Sequence, residues 1–381
     1  MDAIYLDHAA TTPMHPDVVT AMVEVMNETF GNSSSIHQFG RRARALLDQA
    51  RRFTAQTIHA DEKEIIFTSG GTEADNLAVI GTAYANQEKG KHIITTEMEH
   101  HATLHAANYL EEQGFEVTYL PVNETGRISL TDFDEALRED TILVSMMMVN
   151  NEVGIIQPIE QVGQRLKEHQ AYFHTDAVQA YSLLDINVQQ LGVDLLTVSG
   201  HKINGPKGVG FLYAKSNVRL HPIQYGGTQE RTRRPGTENV AAIVGFHRAM
   251  ELAFEDQLVR TEKYRKYQTD FVQRLKDAEI DFSINGELED MVPTIVNISF
   301  PGANVESLLM NLDLAGIAAS SGSACTAGSV EPSHVLTAMY GSDDLRAMNS
   351  IRFSFGLANT TEQIEIAAER VIEVLQRLVS K

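Results

Sequence analysis

Short apolar runs alternate with helix-patterned stretches over most of this chain. "EIIFT" (64–68) leads into "SGGTEADNLAVIGTAYA", and "HIITT" (92–96) into a helix-like stretch from about Glu99 to Gln113. "FEVTYLPV", "TILVSMMMVN" (141–150), "YFHTDA" (172–177), "DLLTVSG" (194–200) and "VGFLYA" (209–214) follow. Strands that are apolar throughout, rather than at every second residue, are buried on both faces. Separated by helical patterns, they predict an α/β fold with a mostly parallel sheet covered on both sides.

The pattern changes near residue 240. A long amphipathic stretch runs from about Val240 to Asp277, with room for a break. "TIVNISF" (294–300), a helix-like "VESLLMNLD", "GIAAS", "SIRFSF" (350–355) and a last helix complete the chain. Thr360 and Gln363 have the spacing of a capping box for that helix. The expected organisation is residues 1–15 as a segment joining a small domain, 16–250 as a large α/β domain, and 251–381 as the smaller α+β domain.

Bulk properties exclude several classes. No apolar run approaches the roughly 18 residues of a membrane span. "MDAIYLDHAATT" lacks the basic start and apolar stretch of a secretion signal. A single cysteine among 381 residues rules out an intrachain disulfide framework. Together these point to the cytoplasm. A net charge of −20 argues against direct binding to nucleic acid, though not against a partner that handles it.

Ligands of open α/β sheets sit at the carboxyl ends of the strands, so those ends decide the chemistry. After "EIIFT", Gly70 and Gly71 turn tightly and Thr72 opens a helix, which makes an anion site or an ordinary capped turn. After "YFHT" comes Asp176, then Gln179. A carboxylate there needs a partner, such as a cationic ring nitrogen, a salt bridge or a helix cap. After "LLTV" comes "SGHKINGPKGVG", with Ser199, His201 and Lys202. It lacks the Gly-Lys-Ser/Thr ending of an ATP loop. A lysine at a buried strand end can form a Schiff base with a carbonyl. His101 and His105 have the spacing of a zinc pair, but no catalytic glutamate or cysteine ligand accompanies them, so no metal is expected. His100 is better placed to stack on an aromatic ligand. An anion site, an acid for a ring nitrogen, a Schiff-base lysine and a stacking histidine together describe a pocket for pyridoxal 5′-phosphate (PLP).

The lone thiol, Cys325, lies in "SSGSACTAGS" (320–329). Most single cysteines are small buried hydrophobes. This stretch has no large side chain to pack, and it reads as a loop, where reactive thiols tend to be found.

"LDHAATT", "GNSSSIHQFG", "TSGGTEADNLA", "EHHA", "VNNEVG", "HTDAVQ", "SGHKINGPKGVG", "RPGTEN", "SSGSACTAGS" and "SIRFSFG" resemble, in order, the motifs of NifS/IscS-type cysteine desulfurases. The resemblance covers nearly the whole chain. It implies a fold-type-I PLP enzyme with a seven-stranded sheet. Lys202 would carry the cofactor, Asp176 would pair with its ring nitrogen, and Gln179 would contact its ring hydroxyl. His100 would stack on the ring and take part in proton transfer. Gly71, Thr72, Ser199 and His201 would hold the phosphate. Thr237 would reach the phosphate of the other subunit's cofactor, which implies a homodimer. Asn151, Arg352 and Asn32 would serve the substrate side, with Asn151 also beside the cofactor. Cys325 would be the nucleophile that takes sulfur from L-cysteine, leaving alanine. The sulfur would pass to an acceptor protein, either a tRNA-thiolating enzyme or an iron–sulfur scaffold. The chain ends soon after the last helix, at "LQRLVSK", which weakens the expectation of scaffold docking through a tail. An aminotransferase, a selenocysteine lyase and a catalytically idle subunit remain alternatives at this level. Cys325 discriminates the first, and the intact Lys202, Asp176 and His100 speak against the last.

Overall fold

The computed structural model describes residues 3–321 and 332–379. Its strands are β1 (Ile4–Tyr5), β2 (Ile65–Thr68), β3 (His92–Thr96), β4 (Glu116–Leu120), β5 (Thr141–Ser145), β6 (Tyr172–Asp176), β7 (Leu195–Ser199), β8 (Gly210–Ala214), β9 (Ser283–Ile284), β10 (Ile295–Ser299), β11 (Ile317–Ala318) and β12 (Ser350–Ser354). Seven of them form one sheet in the order β2-β8-β7-β6-β5-β3-β4. Every residue of β2, β3, β5, β7 and β8 is buried, which is why these segments read as continuous apolar runs.

The strands from β4 to β7 pair in parallel. β8 does not follow them: it runs antiparallel to both β7 and β2. The expectation that placed "VGFLYA" with the parallel strands fails on connection length. Only residues 200–209 separate β7 from β8, and a parallel crossover needs a dozen or more residues. The result is a hairpin, with Ser199 opposite Gly210.

Helices cover both faces. On one, Ala74 and Leu77 of the helix Gly71–Asn86 pack on Ile66 and Leu212. On the other, Leu47 and Ala50 of Gln38–Gln56 and Phe246 and Met250 of Val240–Glu255 join Phe67, Phe173, Leu196 and Phe211. The amphipathic stretch after residue 240 is two helices, Val240–Glu255 and Gln257–Asp277, parted at Asp256. The second packs Phe271 with Val371 of Thr361–Val379 and with Ile298 and Phe353 of an antiparallel β12-β10-β9 sheet. The capping box at its expected place is made. The Thr360 N–H donates to Gln363 Oε1 at 3.3 Å, and the Gln363 N–H to Thr360 Oγ1 at 3.2 Å.

The amino-terminal segment ties these parts together. β1 pairs in parallel with β11, and Asp7 bridges to Ser354 of β12. The Thr12 N–H then bonds the His201 carbonyl at 2.9 Å.

One loop is held under strain. Glu230, Arg231 and Thr232 have φ of 45°, 55° and 66°, and the left-handed region is costly for residues with a side chain. Glu230 anchors them. Its carboxylate accepts from both terminal nitrogens of Arg51, at 2.6 and 2.8 Å, and from the Phe67 N–H at 3.3 Å. The glutamate side chain is 3% exposed and the arginine 12%. Arg51→Ala would strand a buried carboxylate and should cost about 3–5 kcal/mol. Arg44→Ala, which breaks an exposed pair with Asp48, should cost no more than about 1 kcal/mol. Thermal melts of the two variants check the contrast.

Candidate active site

The carboxyl ends of β3, β5, β6 and β7 open onto a cleft of about 260 Å³. Gly71, Thr72, His100, Asn151, Asp176, Gln179, Ser199, His201, Lys202 and Arg352 all line it. Residues from six separate stretches of sequence therefore meet in one place. Asn32 and Thr237 are exposed and lie outside this cleft. Cys325 lies outside the described residues.

Lys202 sits in the short helical turn after β7. Its Nζ donates to the carbonyls of Ala9 and Ala10, the latter at 2.9 Å. Burial lowers its pKa to about 8; the nearby Arg352 charge adds to this, while Asp176 and Asp7 oppose it. Asp176 ends β6 and accepts the Val178 N–H at 2.8 Å. Burial raises its pKa to about 6, against the pull of that N–H and of Lys202. At neutral pH the cleft thus holds a carboxylate suited to a cationic ring nitrogen and a lysine whose lowered pKa brings the amine that an aldehyde needs within reach.

The turn at residues 70–72 is built for an anion. Gly70 has φ of +150°, open to glycine but rarely to other residues. It starts the helix Gly71–Asn86 without a side-chain cap. The N–H groups of that first turn have no partner within the helix, and the dipole favours a negative charge there. A Cβ on Gly71 would come within 3.2 Å of Val178, so a side chain would crowd the cradle. Ser199 and His201 stand beside it on the cleft wall. His201 bonds Thr11 Oγ1 at 3.1 Å. Burial, then the charges of Lys202 and Lys207, hold its pKa near 4, so it is a neutral donor or acceptor.

His100 caps the helix His101–Glu112 and accepts the Ala102 N–H at Nδ1, 3.1 Å away. Burial and then Lys202 lower its pKa to about 4, which leaves a neutral imidazole in the cleft. Arg352, on β12, is 2% exposed. It donates to Asp7 Oδ1 at 2.8 Å and to the Asn151 carbonyl at 3.0 Å. Its Nε is buried with no hydrogen-bond partner among the described residues. Gln179 donates to the Ala9 carbonyl at 2.9 Å. The His101 and His105 rings stack with centroids 5.2 Å apart. Among the described residues, no group of three or more His, Cys, Asp or Glu could hold a metal ion.

The chain on both sides of residues 322–331 is fastened to this cleft. Ser320 pairs with Arg352, exchanging two backbone hydrogen bonds of 2.7 and 3.2 Å. Ser333 Oγ donates to Glu152, a cleft residue, at 2.5 Å. His334 also lines the cleft, with Nε2 2.9 Å from the Glu99 carbonyl.

Ala9, Ala10, Asp75, Glu152 and His334 also line the cleft and were not singled out from sequence. One signal was present: Ala9 and Ala10 lie in "LDHAATT".

Residues 4–366 match the family model for class-V aminotransferases, and the chain belongs to that family. Its members are PLP-dependent enzymes, and the anion cradle, the buried lysine and the acid at β6 fit that cofactor. A protein of Bacillus subtilis (strain 168) carrying the name IscS 1 is 57% identical over 99% of this chain and 100% of its own length. The cysteine desulfurase IscS of Dictyoglomus turgidum is 46% identical over 99% of this chain and 95% of its own. A solved NifS-like protein superposes with a TM-score of 0.92 at 35% identity, covering 99% of this chain and 100% of that one.

Lys202 can take up an aldehyde only as the neutral amine. Its pKa of about 8 means that cofactor uptake by the apoprotein should quicken as pH rises toward 8 and level off above it. Stopped-flow absorbance after mixing with PLP checks this, and Lys202→Ala should abolish the fast phase.

Proposed function

We propose that this chain is a PLP-dependent cysteine desulfurase. It converts L-cysteine to L-alanine and takes the sulfur as a persulfide on Cys325. It then passes that sulfur to an acceptor protein, for tRNA thiolation or iron–sulfur cluster assembly. One observation carries the reading: both flanks of the Cys325 stretch are bonded to cleft residues, Arg352 on one side and Glu152 on the other. Cys325 is five positions along the chain from Ser320, a span of at most roughly 18 Å. The relatives named cysteine desulfurase support the activity. A solved structure of SspA in complex with cysteine, 37% identical over 92% of this chain with a TM-score of 0.82, supports the substrate.

In this reading Gly71, Thr72, Ser199 and His201 would hold the cofactor's phosphate, Asp176 its ring nitrogen, Gln179 its ring hydroxyl and His100 its ring face. Lys202 would hold its aldehyde, with Asn151 alongside. When bound, PLP supplies an electron sink for bonds at the α-carbon of an amino acid. The other steps belong to the chain itself. Arg352 turns its guanidinium onto the substrate carboxylate. Lys202, its pKa lowered by burial, moves the α-proton. His100, a neutral imidazole, accepts the proton of the Cys325 thiol at Nδ1, releasing the Ala102 N–H that it holds in the resting cleft. The thiolate attacks the substrate sulfur. The S–S bond forms as the Cβ–S bond breaks, and the electron pair stays with the three-carbon fragment. That fragment gains a proton and leaves as alanine.

A homodimer fits the surface. Val19, Val23, Met26, Phe30, Ile36 and Phe39 expose an apolar strip, of the kind that marks interaction sites. Thr237, outside this chain's own cleft, would then serve the partner's cofactor, and Asn32 would lie near the shared entrance. The proposed division is the amino-terminal segment 1–15, a cofactor domain 16–250 and a smaller domain 251–381. Among the described residues no helix is long and apolar enough to cross a membrane, and we place the enzyme in the cytoplasm.

Cys325→Ala should keep the yellow colour of bound PLP and lose sulfide and alanine production by at least about a hundredfold. A transaminase would instead keep its turnover with an amino acid and a keto acid, which would refute the desulfurase reading. Mass spectrometry of the wild type after exposure to labelled cysteine should find the added sulfur on Cys325. Transfer assays with a tRNA-thiolating enzyme and an iron–sulfur scaffold then identify the acceptor.

A further inference from the structure

The mechanism uses Asp176 and leaves another buried acid in the cleft without a task. Asp75 lies on the helix Gly71–Asn86, four residues past Gly71, and lines the cleft at 1% exposure. Its Oδ1 is buried with no hydrogen-bond partner among the described residues. His174 Nε2 stands 3.6 Å away. That ring is already engaged, by Ser145 Oγ at 2.8 Å and Thr197 Oγ1 at 3.0 Å. Burial keeps it neutral, with a pKa near 3, so it offers Asp75 no countercharge.

The other charged groups around Asp75 are mostly acids. Asp176 is two residues beyond His174 on β6, so their side chains share a face of the sheet. Glu99 precedes the helix His101–Glu112 and is fully buried. It accepts from Thr96 Oγ1 at 2.7 Å and from the Met147 N–H at 2.9 and 3.1 Å. Lys202, after β7, is the cation that faces Asp176, and its amine is turned to the Ala9 and Ala10 carbonyls. Two carboxyls in a dry space of this kind do not both ionise.

We propose that Asp75 is a positioning residue that keeps its proton beside Asp176, so that the pair carries one negative charge and that charge stays on Asp176. The inference rests on the reading of Asp176 as the partner of the cofactor's ring nitrogen. Burial pushes Asp75 well above the usual carboxylate range; the charges of Asp176 and Glu99 add to this, and the Thr197 hydroxyl opposes it. The neutral form serves two purposes. A second carboxylate would draw Asp176's proton equilibrium upward and leave less charge for the ring nitrogen. It would also sit one turn inside the helix end that receives the phosphate and weaken the field there.

Infrared spectroscopy of the holoenzyme, prepared with aspartate ¹³C-labelled at the side-chain carboxyl, tests this directly. At neutral pH the wild type should show a protonated-carboxyl C=O stretch that shifts with the label. Asp75→Asn, neutral at every pH, should lose that band while keeping bound PLP. A titration of the cofactor's visible absorption should show an alkaline step in the wild type that Asp75→Asn lacks, a change no purely structural role would produce. The inference is overturned if the wild type has no labelled acid band, a result that needs no variant. It is equally overturned if the band persists in Asp75→Asn, which puts the proton on another aspartate, or if the two absorption titrations coincide. Purified protein that takes up no PLP would instead refute the cofactor reading.

Discussion

An amine buried in the cleft is the constraint around which the rest is arranged. Removing an ammonium from water costs several kcal/mol even after relaxation. Lys202 meets that cost with two backbone carbonyls, those of Ala9 and Ala10, and with Asp176 across the cleft. Both carbonyls belong to a segment that is itself fixed by β11, β12 and the lysine turn. The lysine is thus held without being neutralised, and its lowered pKa follows from the incompleteness of that compensation.

The cleft brings together groups of both signs. The first turn of Gly71–Asn86 presents unpartnered N–H groups, and Arg352 lines the same space. With them are a lysine, an ionised acid and histidines that burial keeps neutral. Such an arrangement suits a molecule with an anionic tail, a cationic ring and a carboxylate-bearing substrate joined to it. Neutral imidazoles fit this space, because a third cation there would compete with Lys202 for Asp176.

Much of this was legible because the strands are apolar on both faces. A buried run such as "LLTV" announces its own end, and Ser199, His201 and Lys202 come directly after it. The same holds for Asp176 after "YFHT" and for Gly71 and Thr72 after "IIFT". Orientation was less legible: β8 looks like its neighbours, and only the short connection reverses it. The partners of Lys202 were hidden for another reason. A backbone carbonyl has no residue signature, and Ala9 lies 193 residues away in sequence. Asp75 was hidden by its company, since "TEADN" reads as a polar helix start until the sheet shows which side faces inward.

The threading of the first dozen residues also sets a timetable for biosynthesis. Ile4 and Tyr5 find their partners only at Ile317 and Ala318, and Asp7 only at Ser354. A ribosome adding about 5–20 residues per second needs roughly 20–70 s to make the intervening chain. Throughout that interval the nascent amino terminus has no strand to join, and the seat for the lysine is incomplete. Cofactor capture is therefore an event of the finished polypeptide, and a chaperone that shields the leading end would act before the active centre exists.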